Sequence, residues 1–312
     1  MQTLKVIRLL IALIMCNIVG LNSTSAQTEQ DALMMGKNKL CVAAMFGYNS
    51  WSDYWEGTHK RNNENIGRLS TKSFMLMLNY GVTKNLNLLA SLPYVTTDAN
   101  RGTLAGLKGM QDFGLYIKYK PLKKQFGKQN ISLFAVGGYA APTNKYNVEF
   151  LPMSIGLGSQ VLSARLIGDI QRDKIYATVS AAYMHRSNVE LDRSAYYTDR
   201  QINSNEVKMP DAGNFQLSAG YRTKLLIASG FIDNTTTFGG FDIRKNDMPF
   251  VSNQMNSTRT GVEAKYYLPK HEAFGIHANV WHVLSGRNVG QATGFMAGLV
   301  YAFNVHTKTK KQ

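Results

Sequence analysis

From residue 39 to residue 304 the chain repeatedly alternates apolar and polar or small positions. Phe113, Leu115, Ile117 and Tyr119 interleave with Gly114, Tyr116 and Lys118. Phe215, Leu217, Ala219 and Tyr221 interleave with Gln216, Ser218 and Gly220, and Phe295, Ala297, Leu299, Tyr301 and Phe303 do the same with Gly294, Met296 and Gly298. A period of two is the mark of a strand with two unlike faces. The pattern predicts strands near 39–48, 71–82, 86–97, 111–120, 130–141, 159–170, 175–185, 213–222, 225–233, 258–268, 274–284 and 293–304.

The connections fall into two classes. Thr83–Asn85, Gln171–Lys174, Thr223–Lys224 and Pro269–Ala273 are short, whereas Asn49–Ile66, Ala141–Gly158, Arg186–Ala212 and Thr235–Ser257 are long and polar. Short and long alternate, as in a barrel with short turns at one rim and long loops at the other. A soluble sandwich has no reason to sort its loops in this way. Ten strands end in an aromatic on the apolar parity: Tyr48, Tyr94, Tyr139, Tyr183 and Phe231 on odd-numbered strands, Tyr80, Tyr119, Tyr221, Tyr266 and Tyr301 on even-numbered ones. In an up-and-down barrel these sets become two girdles at the membrane interfaces. The expected fold is all-β, a transmembrane up-and-down antiparallel β-barrel of about twelve strands, closed because an open edge in lipid leaves backbone groups unpaired.

The N-terminus changes the picture by fixing a compartment. Lys5 and Arg8 precede an apolar run from Leu9 to Gly20, and Thr24-Ser25-Ala26 supplies small residues for cleavage before Gln27. The run is too short to span a bilayer as a helix. Cys16 lies within it behind Met15, where a lipoprotein signal wants a small residue. Residues 1–26 are therefore read as a signal peptide and 27–312 as the barrel, located in the outer membrane of a Gram-negative bacterium. Removing 1–26 takes two cations and no acids, leaving 33 basic against 20 acidic residues, a charge of +13. In this compartment lipopolysaccharide is the nearer anionic partner, alongside the outer-membrane lipids, and nucleic acid is not expected. Only Cys41 remains, so no internal disulfide forms. Asn130, Asn234 and Asn256 match a glycosylation pattern that has no role in a bacterial exported chain.

Two stretches carry a family resemblance. Tyr80-Gly81-Val82-Thr83-Lys84-Asn85-Leu86, running on to Leu92-Pro93-Tyr94, and Gly109-Met110-Gln111-Asp112-Phe113-Gly114-Leu115, ending at Lys118-Tyr119, resemble the outer-membrane family named for the meta-cleavage pathway of phenol degradation. That family is a relative of the FadL-type hydrophobic-compound channels. Gln111 stands where the family usually has Gly, and Gly156-Leu157-Gly158-Ser159, read as opening a strand, is a weaker third echo. The resemblance implies passage of small, often apolar compounds. The final strand, Gly298 to Phe303, resembles the signal read by the barrel-assembly machinery, although nine residues follow it.

Taking the polar parity as inward gives candidate lumen-lining residues. Lys118, Lys120, Arg165, Arg222, Arg259 and Lys265 face Asp112, Asp169 and Glu263, interleaved with Met45, Met75, Met77, Leu89, Phe134, Val136, Ile167, Met184 and Met296. Six cations against three anions predict an anion-favouring lumen, and the apolar residues suggest either a packed interior or a passage for amphiphilic solutes. Twelve strands lie between the eight that just fill their interior and the sixteen that leave an aqueous channel. Gln27–Gly36 is short for an N-terminal hatch, so the loops are expected to gate. The expected function is a passive outer-membrane channel for small apolar or amphiphilic solutes. The alternative is a non-conducting structural or partner-binding barrel, for which the loop aromatics Trp51, Tyr54, Trp55, Tyr196 and Tyr197 would serve. Catalysis is not expected: of the six histidines only His277 and His282 share a strand, and no serine motif accompanies them. No cofactor or metal is expected, since no Cys/His cluster has ligand spacing.

Overall fold

A computed structural model describes residues 28–150, 153–243 and 250–305. The signal peptide, its cleavage site and the basic tail from His306 onward lie outside the described residues.

Twelve long strands run β1 Lys39–Trp51, β2 Leu69–Gly81, β3 Leu86–Ala99, β4 Phe113–Phe126, β5 Gln129–Ala141 and β6 Val161–Arg172. They continue as β7 Ile175–Arg186, β8 Ala212–Arg222, β9 Leu226–Thr237, β10 Asn256–Leu268, β11 His271–Arg287 and β12 Thr293–Asn304. Each pairs antiparallel with its sequence neighbours, and β1 pairs with β12 from Lys39↔Asn304 to Ser50↔Thr293, which closes the ring. The shared ladders of β3 and β4 stop at Ser91↔Gly114, and a short strand, Lys108–Met110, takes over as the partner of Thr96 to Tyr94.

The alternation in the sequence becomes an outside and an inside. Phe74, Leu76 and Leu78 on β2, Leu115, Ile117 and Tyr119 on β4, and Ile276 and Val280 on β11 point outward and are exposed. Their partners in the pleat, such as Met45, Phe134 and Ile167, are buried within the ring. An apolar surface of this extent suits hydrocarbon rather than water. Among the described residues no helix is long and apolar enough to cross a membrane; the strands do the crossing.

Two departures from the sequence reading have physical causes. β4 extends to Phe126, with a bulge in its ladder with β5 between Tyr119 and Leu122. Pro121 falls in that gap and has no N–H to give a ladder. Beyond it β4 is exposed on both faces from Leu122 to Phe126, and the hairpin turns at Gly127 (φ 57°). In β9 the parity is reversed: Ile232 points out, while Phe231 lines the interior and belongs to no girdle. A shift of one residue sends every side chain of a strand to the other face. Ala228 and Gly230 are too small to mark the outer face, so Phe231 dominated the pattern.

The long loops pack on one another. Val148, Val189, Tyr196, Val207, Met209 and Val251, from three loops, form a buried apolar cluster. Trp55, Val283 and Ala292 form another, flanked by Trp51 and Trp281. Trp55 and Tyr196 thus serve packing. Gly156–Ser159 belongs to this loop layer, since β6 begins only at Val161.

Candidate functional site

The interior is built around a segment that no periodicity announces. Residues 28–36 enter the ring at the short-turn rim as a strap across the lumen. Asp31 shapes it: its carboxylate accepts the Thr28 N–H at 2.7 Å and the Leu33 N–H at 3.1 Å. The strap then joins β1 through Asn38 (φ 58°), whose N–H donates to the Gly81 carbonyl at 2.7 Å. Ala32 packs against Phe134, Val136 and Ile167, and Met35 against Cys41, Met45, Val300 and Ala302. The expectation that the loops alone must close the lumen is corrected: nine residues suffice to cross it, because both walls reach inward to hold them.

Lys118 on β4 is fully buried and donates to the Thr28 carbonyl (2.9 Å), the Asp31 carbonyl and the Asp31 carboxylate (3.0 Å). Lys265 on β10, 3% exposed, reaches the other carboxylate oxygen at 3.2 Å. Lys118 also lies 5.7 Å from the centre of the Phe134 ring. Burial alone would raise the Asp31 carboxyl; the two ammonium groups and the Thr28 N–H overcome it and hold the group at about 2. A buried carboxylate flanked by two cations stays ionised.

The remaining charged residues run as a network along the wall from β6 to β11. Arg222 grips Asp169 with both terminal nitrogens, at 3.0 and 3.1 Å, and stacks 3.7 Å above Tyr176. Such two-pronged pairs fix geometry as well as charge. Arg165 donates to Ser180 at 2.5 Å and to Asn214 at 3.0 Å. Asn214 donates to Asp233 at 3.0 Å, and Asp233 accepts from Arg259 at 3.1 Å. Glu263 lies 3.5 Å from His277. Lys120 sits half-buried near the short-turn rim.

Asp112 belongs elsewhere. It lies outside the strands at the long-loop end, where the Tyr146 hydroxyl donates to it at 2.5 Å while accepting the Gly158 N–H at 2.8 Å. Burial raises the Asp112 carboxyl despite the tyrosine bond, and raises the Tyr146 phenol too. Asp112 therefore ties two loops together.

The expected excess of lumen cations is also corrected. Asp31 and Asp233, both absent from the sequence reading, face Lys118, Lys265 and Arg259 and offset most of their charge. Asp233 went unseen because the reversed parity of β9 placed it outside. Asp31 left no signal, because a lone acid in a short lead has no pattern around it.

Between strap and walls lies a cavity of about 320 Å³. One side is thioether: Met45 is registered against Met75, with Met77 and Met296 adjoining. The other side carries Arg222, Arg259, Glu263 and His277, with Trp281 beside Arg259. Tyr116 lies flat over Gly138, where a β-carbon would come 2.5 Å from its ring. His282 shares β11 with His277 but has the opposite parity, with Nδ1 2.7 Å from the Thr293 hydroxyl. Among the described residues no group of His, Cys, Asp and Glu is placed to hold a metal ion.

No protein-family model matches the sequence, and no curated protein is similar to it. In fold it is similar to the COG4313 outer membrane channel from Pseudomonas putida F1, with a TM-score of 0.71 at 15% identity over 90% of this chain and 100% of that one. A weaker likeness, TM-score 0.44 at 9% identity, extends to the translocator domain of the autotransporter NalP from Neisseria meningitidis, over 88% of this chain and 91% of that one. At these identities the likeness is one of architecture.

Proposed function

We propose that the chain is an outer-membrane channel of a Gram-negative bacterium, through which small amphiphilic solutes move down their own gradients. The observation that carries this reading is the two-sided cavity inside the closed barrel, thioether on one wall and ionic on the other. Pockets of roughly 300 Å³ and above accept small organic molecules, and a few fixed polar groups orient them. The architecture shared with a channel of known structure supports it, as does the resemblance of the Tyr80–Tyr94 and Gly109–Tyr119 stretches to the meta-pathway family. Export through cleavage before Gln27, recognition of the last strand by the assembly machinery and contact of basic loops with lipopolysaccharide complete the proposal.

One observation favours a second reading, a non-conducting structural barrel: the strap fills the short-turn end and the loops pack at the other. Flux decides between them. Purified protein in liposomes is expected to pass an aromatic solute faster than a polar one of matched size. Folded protein that passes neither would overturn the channel and leave the structural barrel.

A further inference from the structure

Beyond apolar packing and the Lys118 bonds to two backbone carbonyls, the strap's one charged hold on the barrel is a carboxylate, and that is a chemical statement about what can replace it. Each oxygen of Asp31 is held by a different ammonium, Lys118 at 3.0 Å and Lys265 at 3.2 Å. Both lysines are almost wholly buried. If the carboxylate left unaccompanied, two buried ammonium groups would be abandoned side by side without a counter-charge, which is strongly unfavourable. A neutral solute cannot take that place.

We propose that Lys118 and Lys265 form a carboxylate-binding site for which amphiphilic carboxylic acids compete with Asp31, so that arrival of such a solute releases the strap. The inference rests on the channel reading and names its substrate class. The apolar half of the requirement comes from the cavity, which touches both Asp31 and Lys265 and is walled by Met45, Met75, Met77 and Met296. Thioethers accommodate aromatic and alkyl bodies of varied shape. That half is needed because Asp31 is tethered a few residues from β1 and competes at an effective concentration of order millimolar. A small free carboxylate such as acetate has only its charge to offer and loses. A carboxylate with an apolar body gains burial against the methionines and wins.

The test reads strap release rather than flux. Ala32, within the strap, is buried against Phe134, Val136 and Ile167. In a Cys41→Ser background, Ala32→Cys is labelled with a water-soluble maleimide in proteoliposomes. Labelling is expected to be slow alone and with acetate, to rise about tenfold with 4-phenylbutyrate, and to stay slow with 4-phenylbutanol, whose body is the same. Adding Asp31→Asn should give fast labelling without solute, with the heat-shifted gel mobility of a folded barrel retained. Equal acceleration by the alcohol would overturn the proposal, as would no acceleration by the acid, or slow labelling in the Asp31→Asn protein. Acid-dependent labelling in a protein that passes no solute would refute the channel and keep the site. Flux without any effect on labelling would do the reverse.

Discussion

Lys118 and Lys265 stand on β4 and β10, diametrically opposed in a ring of twelve strands, and hold the two oxygens of one side chain. A cross-lumen contact of this kind needs a bridging third party, since no lysine spans a twelve-stranded barrel alone. Asp31 is that bridge, and its loss is the first variant to make. Asp31→Ala should weaken strap docking by roughly 3–5 kcal/mol, the usual cost of leaving buried charges without a partner. Hydrogen exchange at the Leu33 amide, which donates to Asp31, is expected to become fast. The strand amides should stay protected, because their ladders close without the strap.

Acid should undo the same contact. The Asp31 carboxyl is depressed to about 2 from an ordinary 3.8. For a depressed acid, the stabilisation is complete above the ordinary value and is lost as pH falls toward the folded one. The Leu33 amide should therefore hold constant protection from pH 8 to 5, once intrinsic exchange is corrected for, and lose it between about 4 and 2. Protection lost already at pH 6 would mean that another group controls docking.

On the barrel wall, Leu88, Leu115 and Leu217 are exposed on the outer face, whereas Ser91 and Ser218 line the cavity. Arg at any of the three leucines should impair assembly, since Arg near the bilayer midplane costs about 2–4 kcal/mol. Arg at either serine faces the cavity rather than lipid and should assemble far better. Heat-shifted mobility of the five variants is the measurement, and similar yields across both groups would contradict the register.

Ion selectivity should be slight in the wild type, because Lys118, Arg222, Arg259 and Lys265 each meet a carboxylate. Asp233→Asn removes the acid from Arg259 and leaves one guanidinium uncompensated beside the cavity. Reversal potentials under a salt gradient should shift toward anions at low salt and return as screening shortens to about 10 Å at 0.1 M. An unchanged potential would show that Arg259 lies off the conducting path.

The strands were legible because membrane and lumen impose opposite demands on alternate residues; β8, with Phe215, Leu217, Ala219 and Tyr221 outward, shows that pressure plainly. β9 misled because Ala228 and Gly230 meet the lipid demand with almost no side chain, leaving Phe231 to set an apparent parity one residue out. That slip hid Asp233 and with it the charge balance of the lumen. Lys118, Arg165, Arg222, Arg259 and Lys265 could be placed on the inner face from parity alone, but their partners could not. Partnership depends on which strands adjoin and, for Asp31, on a segment with no period at all. Asp112 was misplaced by its position at a strand's start, where alternation cannot distinguish the first inward residue from the last residue of a loop.

The strap has a consequence for the order of folding. Asp31 meets Lys118 across 87 residues of sequence and Lys265 across 234, and each long closure carries an entropic cost that grows with the span. Neither lysine alone compensates the carboxylate fully, so the segment gains its full hold only after β4 and β10 are both in the ring. The hairpins can form locally and early; the strap has to wait. It thus gains its full hold late, and a chain in which β10 has not yet joined the ring holds the segment through Lys118 alone. Nascent and finished barrels would differ in how firmly their N-terminal segment is held, through the timing of a single carboxylate.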